Sequence, residues 1–282
     1  MVFDEVSNKV LEDISFQTLK EEYSRLYLSN KETLDGIYYA ATVQQGLLPQ
    51  ERHFKRNLDN YFVLYRPQQI IGGDLYWIGS KNDVVYFATA DCTGHGVSGA
   101  MLSVLAISFL NYILLGKEHE HLGEILSELD KKWIETFDFS LEYVFDNDWM
   151  EISLVAFNSK TRELKFSSAN SNAFVINGED CQELKGAPYP IGGWQLEKNR
   201  VFNEQTLILQ ENTMVYLGSD GFKDQFGGDQ NKRFTKKRLK SLLTEVSALP
   251  IPIQKKRLET AFENWKGAQS QTDDLCIMGI CL

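Results

Sequence analysis

The sequence predicts an α+β fold: strand pairs with helices clustered between them, preceded by a helical arm. Three observations carry that expectation. Apolar residues recur at helical spacing over residues 1–48, short β-rich runs bounded by turn residues begin at Tyr61, and two blocks of helical pattern interrupt those runs. The order is not the regular strand–helix alternation that a parallel sheet requires.

In the arm, residues 1–48, Phe3, Val6, Val10 and Ile14 follow i, i+3/i+4 spacing. Leu19, Tyr23, Leu26 and Tyr27 resume it after an expected break near Ser15, and a third stretch from Ile37 through Gln44 to Leu48 stops at Pro49. The stripe is narrow and has little to bury it within its own length. It therefore either packs on the body, residues 49–282, or pairs with a second copy. In the body, residues 61–66, 74–79 and 84–90 read as strands. A helix over 97–115 is apolar nearly all round and so is expected to be buried, and a more amphipathic one follows over 122–137. Strands return at 151–157, 163–168, 173–177, 206–210 and 214–218. Helices near 236–243 and 253–265 precede a last strand over 275–282.

Composition narrows the function. With 43% hydrophobic and 24% charged residues the chain can bury one large core. A net charge of −10 repels nucleic acid and anionic lipid, and argues against anionic substrates unless a bound cation reverses the local sign. Cys92, Cys181, Cys276 and Cys281 form no CxxC pair and read as reduced thiols of a cytoplasmic protein. His119 and His121 lie in the polar KEHEH stretch, a solvated helix start rather than a metal site. No signal peptide is expected from residues 1–30, thick with Asp, Glu and Lys. The longest apolar run, Ala100–Leu115, is broken by Ser103, Ser108 and Asn111, so direct membrane insertion is not expected.

Four aspartates share one context. Asp74 follows Gly72-Gly73 at a strand head, Asp91 ends the run VVYFATA, Asp220 follows MVYLGS and precedes Gly221, and Asp273, beside Asp274, opens the last strand. One such aspartate is ordinarily a turn residue; four at strand ends are harder to explain as turns. Carboxylates without His or Cys partners suit Mg²⁺ or Mn²⁺ and not zinc. Two such ions, roughly 3.5–4 Å apart, can neutralise a phosphate, acidify a bridging water and hold it in line with phosphorus, so no covalent intermediate is needed. They would also supply the positive charge the chain lacks. The G-x-G-x-x-G of Gly94–Gly99 imitates a dinucleotide site, but the acidic residue needed about 20 positions on has no second strand to end. No Cys is followed six positions later by Arg, and neither a G-x-S-x-G nor a Walker lysine is present.

The blocks GGDLYW, ATADCTGHGVSGAML, YLGSDGFKDQFGG and QTDDLCIMGI, with GLLP before them and FENWKG ahead of QTDD, cover residues 37–282. In order and context they resemble the PPM-type phosphatases, and more narrowly the bacterial branch named after the stage II sporulation protein E. The resemblance implies an α/β/β/α four-layer sandwich, two Mg²⁺ or Mn²⁺ ions, and phosphoserine or phosphothreonine proteins as substrates. For this branch these are typically small STAS-type regulators in partner-switching signalling. Carried over by position, Asp91 bridges both ions and the backbone carbonyl of Cys92 is a further ligand. Asp220 and Asp273 complete one ion's sphere, Asp74 binds directly or through water, and Asp274 stands behind the ligands. His95 is either a general acid or a helix-entry residue. Ser98 replaces a common proline, DWMEISL replaces DGMDI and so leaves Asp148 and Glu151 open as contributors, and SANSNAF lacks a proline. None of these departures touches the four aspartates, so an active enzyme is expected; the alternative is a catalytically silent scaffold that binds a partner. The arm is expected to make a homodimer, and in this branch commonly joins a catalytic domain to a sensor. That leaves open a chain forming the cytoplasmic part of a membrane-bound receptor.

Overall fold

Strands that are apolar on both faces need cover on both sides, and this chain supplies it in four layers. The computed structural model describes residues 2–116, 119–137, 148–193, 197 and 199–282, with the side chains of residues 2–17 and 115 outside the description. The elements are α1 (Val2–Leu47), α2 (Glu51–Lys55), β1 (Asn60–Arg66), β2 (Asp74–Lys81), β3 (Val84–Cys92), α3 (Gly96–Leu110), α4 (Leu122–Phe137), β4 (Trp149–Asn158), β5 (Glu163–Ala169), β6 (Asn172–Asn177), β7 (Asp180–Lys185), β8 (Ile191–Gly192), β9 (Gln205–Ile208), β10 (Met214–Gly218), α5 (Gly221–Asp224), β11 (Phe226–Gly227), β12 (Lys232–Arg233), α6 (Lys236–Val246), α7 (Ile251–Lys266) and β13 (Leu275–Cys281). They form two compact units, residues 1–43 and 44–282.

The first unit is helix. α1 runs unbroken, so the expected break near Ser15 is absent; no Gly or Pro lies there to cause one. Leu19, Tyr23, Leu26 and Tyr27 are exposed, while Phe3, Val6, Val10 and Ile14 fall among the side chains outside the description.

In the second unit one sheet has the order β1-β13-β10-β6-β7 and the other β2-β3-β4-β5-β9, with β8 on β4. Every pairing within them is antiparallel. Period-two alternation then sorts the side chains. On β4, Met150, Ile152, Leu154 and Ala156 join the core under α3 and α4, whereas Val155 and Phe157 point between the sheets. On β13, Leu275 and Ile277 join the core under α6 and α7, whereas Met278 and Ile280 point between the sheets. The result is the expected α/β/β/α sandwich. Each fully buried Leu or Ile in it contributes about 1.5–3 kcal/mol.

α3 continues into a π-helical turn, Asn111–Leu115, whose Asn111 Oδ1 accepts from Trp77 Nε1 at 2.8 Å. The 19-residue segment Gly96–Leu114 is long and apolar enough to cross a membrane by length and composition, which the sequence reading did not expect. Its inner face, including Ala106, Ile107 and Leu110, is buried against the sheet side of the core. His119 also departs from expectation: its side chain is 11% exposed, 3.7 Å from Glu128, whereas His121 stays exposed beside Glu204. The strand β7 escaped the sequence reading because DCQELK is too polar to stand out, and β8, β11, β12, α2 and α5 are too short to show a period.

Phe166 fills the layer between the sheets with no exposed surface. Phe166→Ala should cost about 3–5 kcal/mol in urea unfolding. A loss under about 1 kcal/mol would mean the two sheets are not held by this layer.

Candidate active site

Both sheets deliver strand ends to one edge of the sandwich. Antiparallel register places Asp74, first residue of β2, opposite Asp91 near the end of β3, and Asp91 opposite Glu151 on β4. From the other sheet come Ser219-Asp220, just past β10, and Asp273-Asp274, just before β13. Hydrogen bonds tie the two sets together. Asp274, 3% exposed, accepts from the backbone N–H of Gly73 and of Gln68, both at 2.6 Å. Ser219 Oγ donates to Asp74 Oδ2 at 2.5 Å and accepts from the N–H of Cys276 at 3.0 Å. A Cβ on Gly72 would lie 2.3 Å from the Asp274 carboxylate, and one on Gly73 2.5 Å from the Cys92 carbonyl, so a side chain at either would push the loop away. Gln44, buried, donates from one amide nitrogen to the Gly72 carbonyl at 2.6 Å and to Ser103 Oγ at 2.7 Å.

The edge is electrostatically hostile to its own residues. Burial, then the neighbouring Asp91, hold the Asp74 carboxyl well above the usual carboxylate range. Burial, then the charges of Asp220, Asp273 and Glu151, do the same to Asp91. Burial also raises Asp220, against the pull of Lys223, and Asp273, against the donated N–H of Asp274. Glu151 is raised by burial against a hydrogen bond from Asn170. Oδ1 of Asp74 and Oδ1 of Asp220 are buried without a hydrogen-bond partner. A buried carboxylate oxygen without a partner costs stability that a hard cation would recover, so these residues fit Mg²⁺ or Mn²⁺. Among the described residues no three His, Cys, Asp or Glu side chains are gathered tightly enough to hold one ion. Mg²⁺ sites complete their sphere with waters and few protein ligands, so three side chains on one ion are not required.

The other expected residues take distinct places. The Cys92 thiol is buried in the helix-side core and pushed up by burial, while its carbonyl faces Gly73. His95 is the residue before α3, and its Nδ1 accepts from Gln69 Nε2 at 3.1 Å. Asp148 accepts from Thr93 Oγ1 at 3.3 Å on the loop after β3. Gly94 and Gly96 take left-handed φ values of 84° and 63°, and a Cβ on Gly99 would lie 2.4 Å from the Gly94 carbonyl and 3.0 Å from the Gly73 backbone. These glycines let α3 butt against the aspartate loop; β3 is antiparallel to both neighbours, so among the described residues it opens no parallel βαβ unit that could hold a dinucleotide. Ser219, Asn170, Gln44 and Lys223 were not expected. Only Ser219 carried a signal, adjacent to Asp220 in sequence.

Paired antiparallel sheets meeting at a buried carboxylate edge, together with the matches that follow, make this a PP2C-type protein serine/threonine phosphatase. Residues 81–282 match the family model described as Stage II sporulation protein E (SpoIIE), and the chain belongs to that family. No curated protein matches the chain. Among solved structures it is similar to the SiaA-PP2C domain of Pseudomonas aeruginosa, with 27% identity, 90% of this chain and 98% of that one covered, and a TM-score of 0.81. It shares a fold with the PP2C phosphatase domain and regulatory fragment of SpoIIE from Bacillus subtilis at 16% identity, coverage of 79% and 63%, and a TM-score of 0.63. It also shares it with RsbX in complex with magnesium at 14% identity, coverage of 79% and 94%, and a TM-score of 0.54.

The unfolded chain ionises its aspartates from about pH 3.9 upward. The folded protein without metal still holds protons on Asp74 and Asp91 there, so their contribution to stability falls as pH rises above that value. In chelator, Asp91→Asn should raise Tm by about 2–4 °C per kcal/mol relieved and flatten that decline, read by thermal scans from pH 4 to 8. A lower Tm at every pH would show Asp91 to be a structural acceptor instead.

Proposed function

We propose that this phosphatase releases phosphate from phosphoserine or phosphothreonine on a partner regulatory protein of STAS type, within partner-switching signalling in the cytoplasm. The observation that carries the hydrolytic reading is the pair of buried, partnerless oxygens on Asp74 and Asp220 that flank Asp91 where both sheets end. Asp74, Asp91, the Cys92 carbonyl, Asp220 and Asp273 would together hold two ions. Two bound Mg²⁺ or Mn²⁺ ions would offset the phosphate's charge and lower the pKa of an attacking water. The chain's own residues do the positioning. Ser219 holds Oδ2 of Asp74 and leaves Oδ1 turned free, while Asp274, committed to two backbone N–H groups, orients Gly73 and Asp74 rather than ligating. The STAS partner follows from the resemblance to this branch, and a protein partner suits a chain whose net charge is −10 only with cations at the site.

The same reading pairs two copies through residues 1–48. Leu19, Tyr23, Leu26 and Tyr27 fall at i, i+4, i+7 and i+8, one face of a helix, and all are exposed.

Phosphate release from phosphorylated STAS proteins should vanish in chelator and return with Mn²⁺ or Mg²⁺ but not Ca²⁺, whose looser coordination misplaces the water. Asp91→Ala and Asp220→Ala should each lower turnover at least about a hundredfold with the fold intact by circular dichroism. Undiminished turnover in chelator would end the two-metal account. Deleting residues 1–30 should turn dimers into monomers of altered specific activity by light scattering and kinetics. A full chain that is monomeric at tens of micromolar would refute the pairing.

A further inference from the structure

Beside Asp220 and Glu151 lies a cavity of about 40 Å³, with Lys223 and Lys236 on its walls. It has room for one small group and not for a length of peptide. The two lysines differ. Lys236 is held by Glu183, and nearby Arg233 by Asp224 at 3.0 Å, but Lys223 forms no ion pair among the described residues. We propose that Lys223 is the chain's own contact for the substrate's phosphoryl group, holding an oxygen that faces away from the aspartates. The proposal rests on the phosphatase reading and names a residue for it.

Lys223 has a fixed base and a free end. Its neighbour Phe222 is buried, edge-on to Phe234 at 5.0 Å and to Phe262 at 5.3 Å. Its carbonyl accepts the N–H of Thr235 at 2.7 Å, and the Asp220 carbonyl accepts the N–H of Asp224 at 3.0 Å. Thr235 pays for that bond with a φ of 84°, a region that β-branched residues avoid and that strained functional walls retain. The backbone is thus set three residues after Asp220, while Lys223, half-buried, lines the cavity. Its charge is felt by both Asp220 and Glu151, which places it at the same edge. Lysine on a flexible stem is a mobile point charge, suited to follow a phosphoryl group whose oxygens shift as the ester bond breaks. A carboxylate edge alone would repel the dianion, so a cation that no side chain has claimed is the expected complement.

A blander role is open to the same lysine: it could only offset the carboxylates. Calorimetric titration of inorganic phosphate into the Mn²⁺-loaded protein separates the two, alongside kcat/KM on p-nitrophenyl phosphate. Lys223→Gln should weaken phosphate binding and lower kcat/KM by about tenfold or more, Lys223→Arg should restore most of both, and Lys160→Gln, on a distant surface pair, should change neither. Unchanged phosphate affinity with a lower Mn²⁺ requirement would overturn the proposal in favour of charge balance. A loss confined to phosphopeptides with acidic flanks, with p-nitrophenyl phosphate unaffected, would also overturn it. If the unaltered protein lacks metal-dependent turnover, the phosphatase reading fails, yet its phosphate affinity relative to Lys223→Gln still decides the role of the lysine.

Discussion

One carboxylate holds the site together. Asp274 belongs to the sheet of β13, and its two oxygens take the N–H groups of Gln68 and Gly73, which lead into the first strand of the other sheet. Charge-assisted bonds of this kind, both at 2.6 Å and buried, are strong and directional. They fix where Asp74 begins its strand, and register then fixes Asp91 and Glu151 opposite it. Gly72 is there because the carboxylate fills the space where its Cβ would stand, and Gly73 because the Cys92 and Gly94 carbonyls fill its own.

What this arrangement gains in geometry it loses in stability. Aspartates held close together in a dry edge repel one another, and the surrounding sandwich must outweigh that strain. The layer between the sheets, dense in Phe, Val, Leu and Met, is where the compensation lies. A rigid scaffold with a locally unfavourable charged rim is what a cation-dependent centre needs, since the binding energy of the ion is then partly relief of repulsion.

Much of this was legible in the sequence. Runs such as VVYFATA and LCIMGICL are apolar on both faces, and such strands require cover on both sides. The four aspartates stood out because each ends or opens such a run. What stayed hidden depends on distance in space rather than in sequence. Nothing local reveals that Gln44 reaches Gly72, that Asn170 in a left-handed turn reaches Glu151, or that Lys223 and Glu151 line one cavity. The helix at Gly96–Leu114 misled in the other direction: its serines read as interruptions of an apolar run, whereas Ser103 is buried and bonded to Gln44 and the Ala100 carbonyl.

The place of β13 governs when the protein can exist as an enzyme. Although it is the last strand, it lies inside its sheet, between β1 and β10, so β1 has no partner in that sheet until it arrives and β10 has only β6. Chain-wide pairings of this kind make folding slow and leave strand edges open in the meantime. Residues 60–66 must wait through synthesis for residues 275–281. A ribosome-bound fragment that ends before Asp273 carries neither that aspartate nor a closed sheet, and the phosphatase is therefore silent until translation has passed that strand.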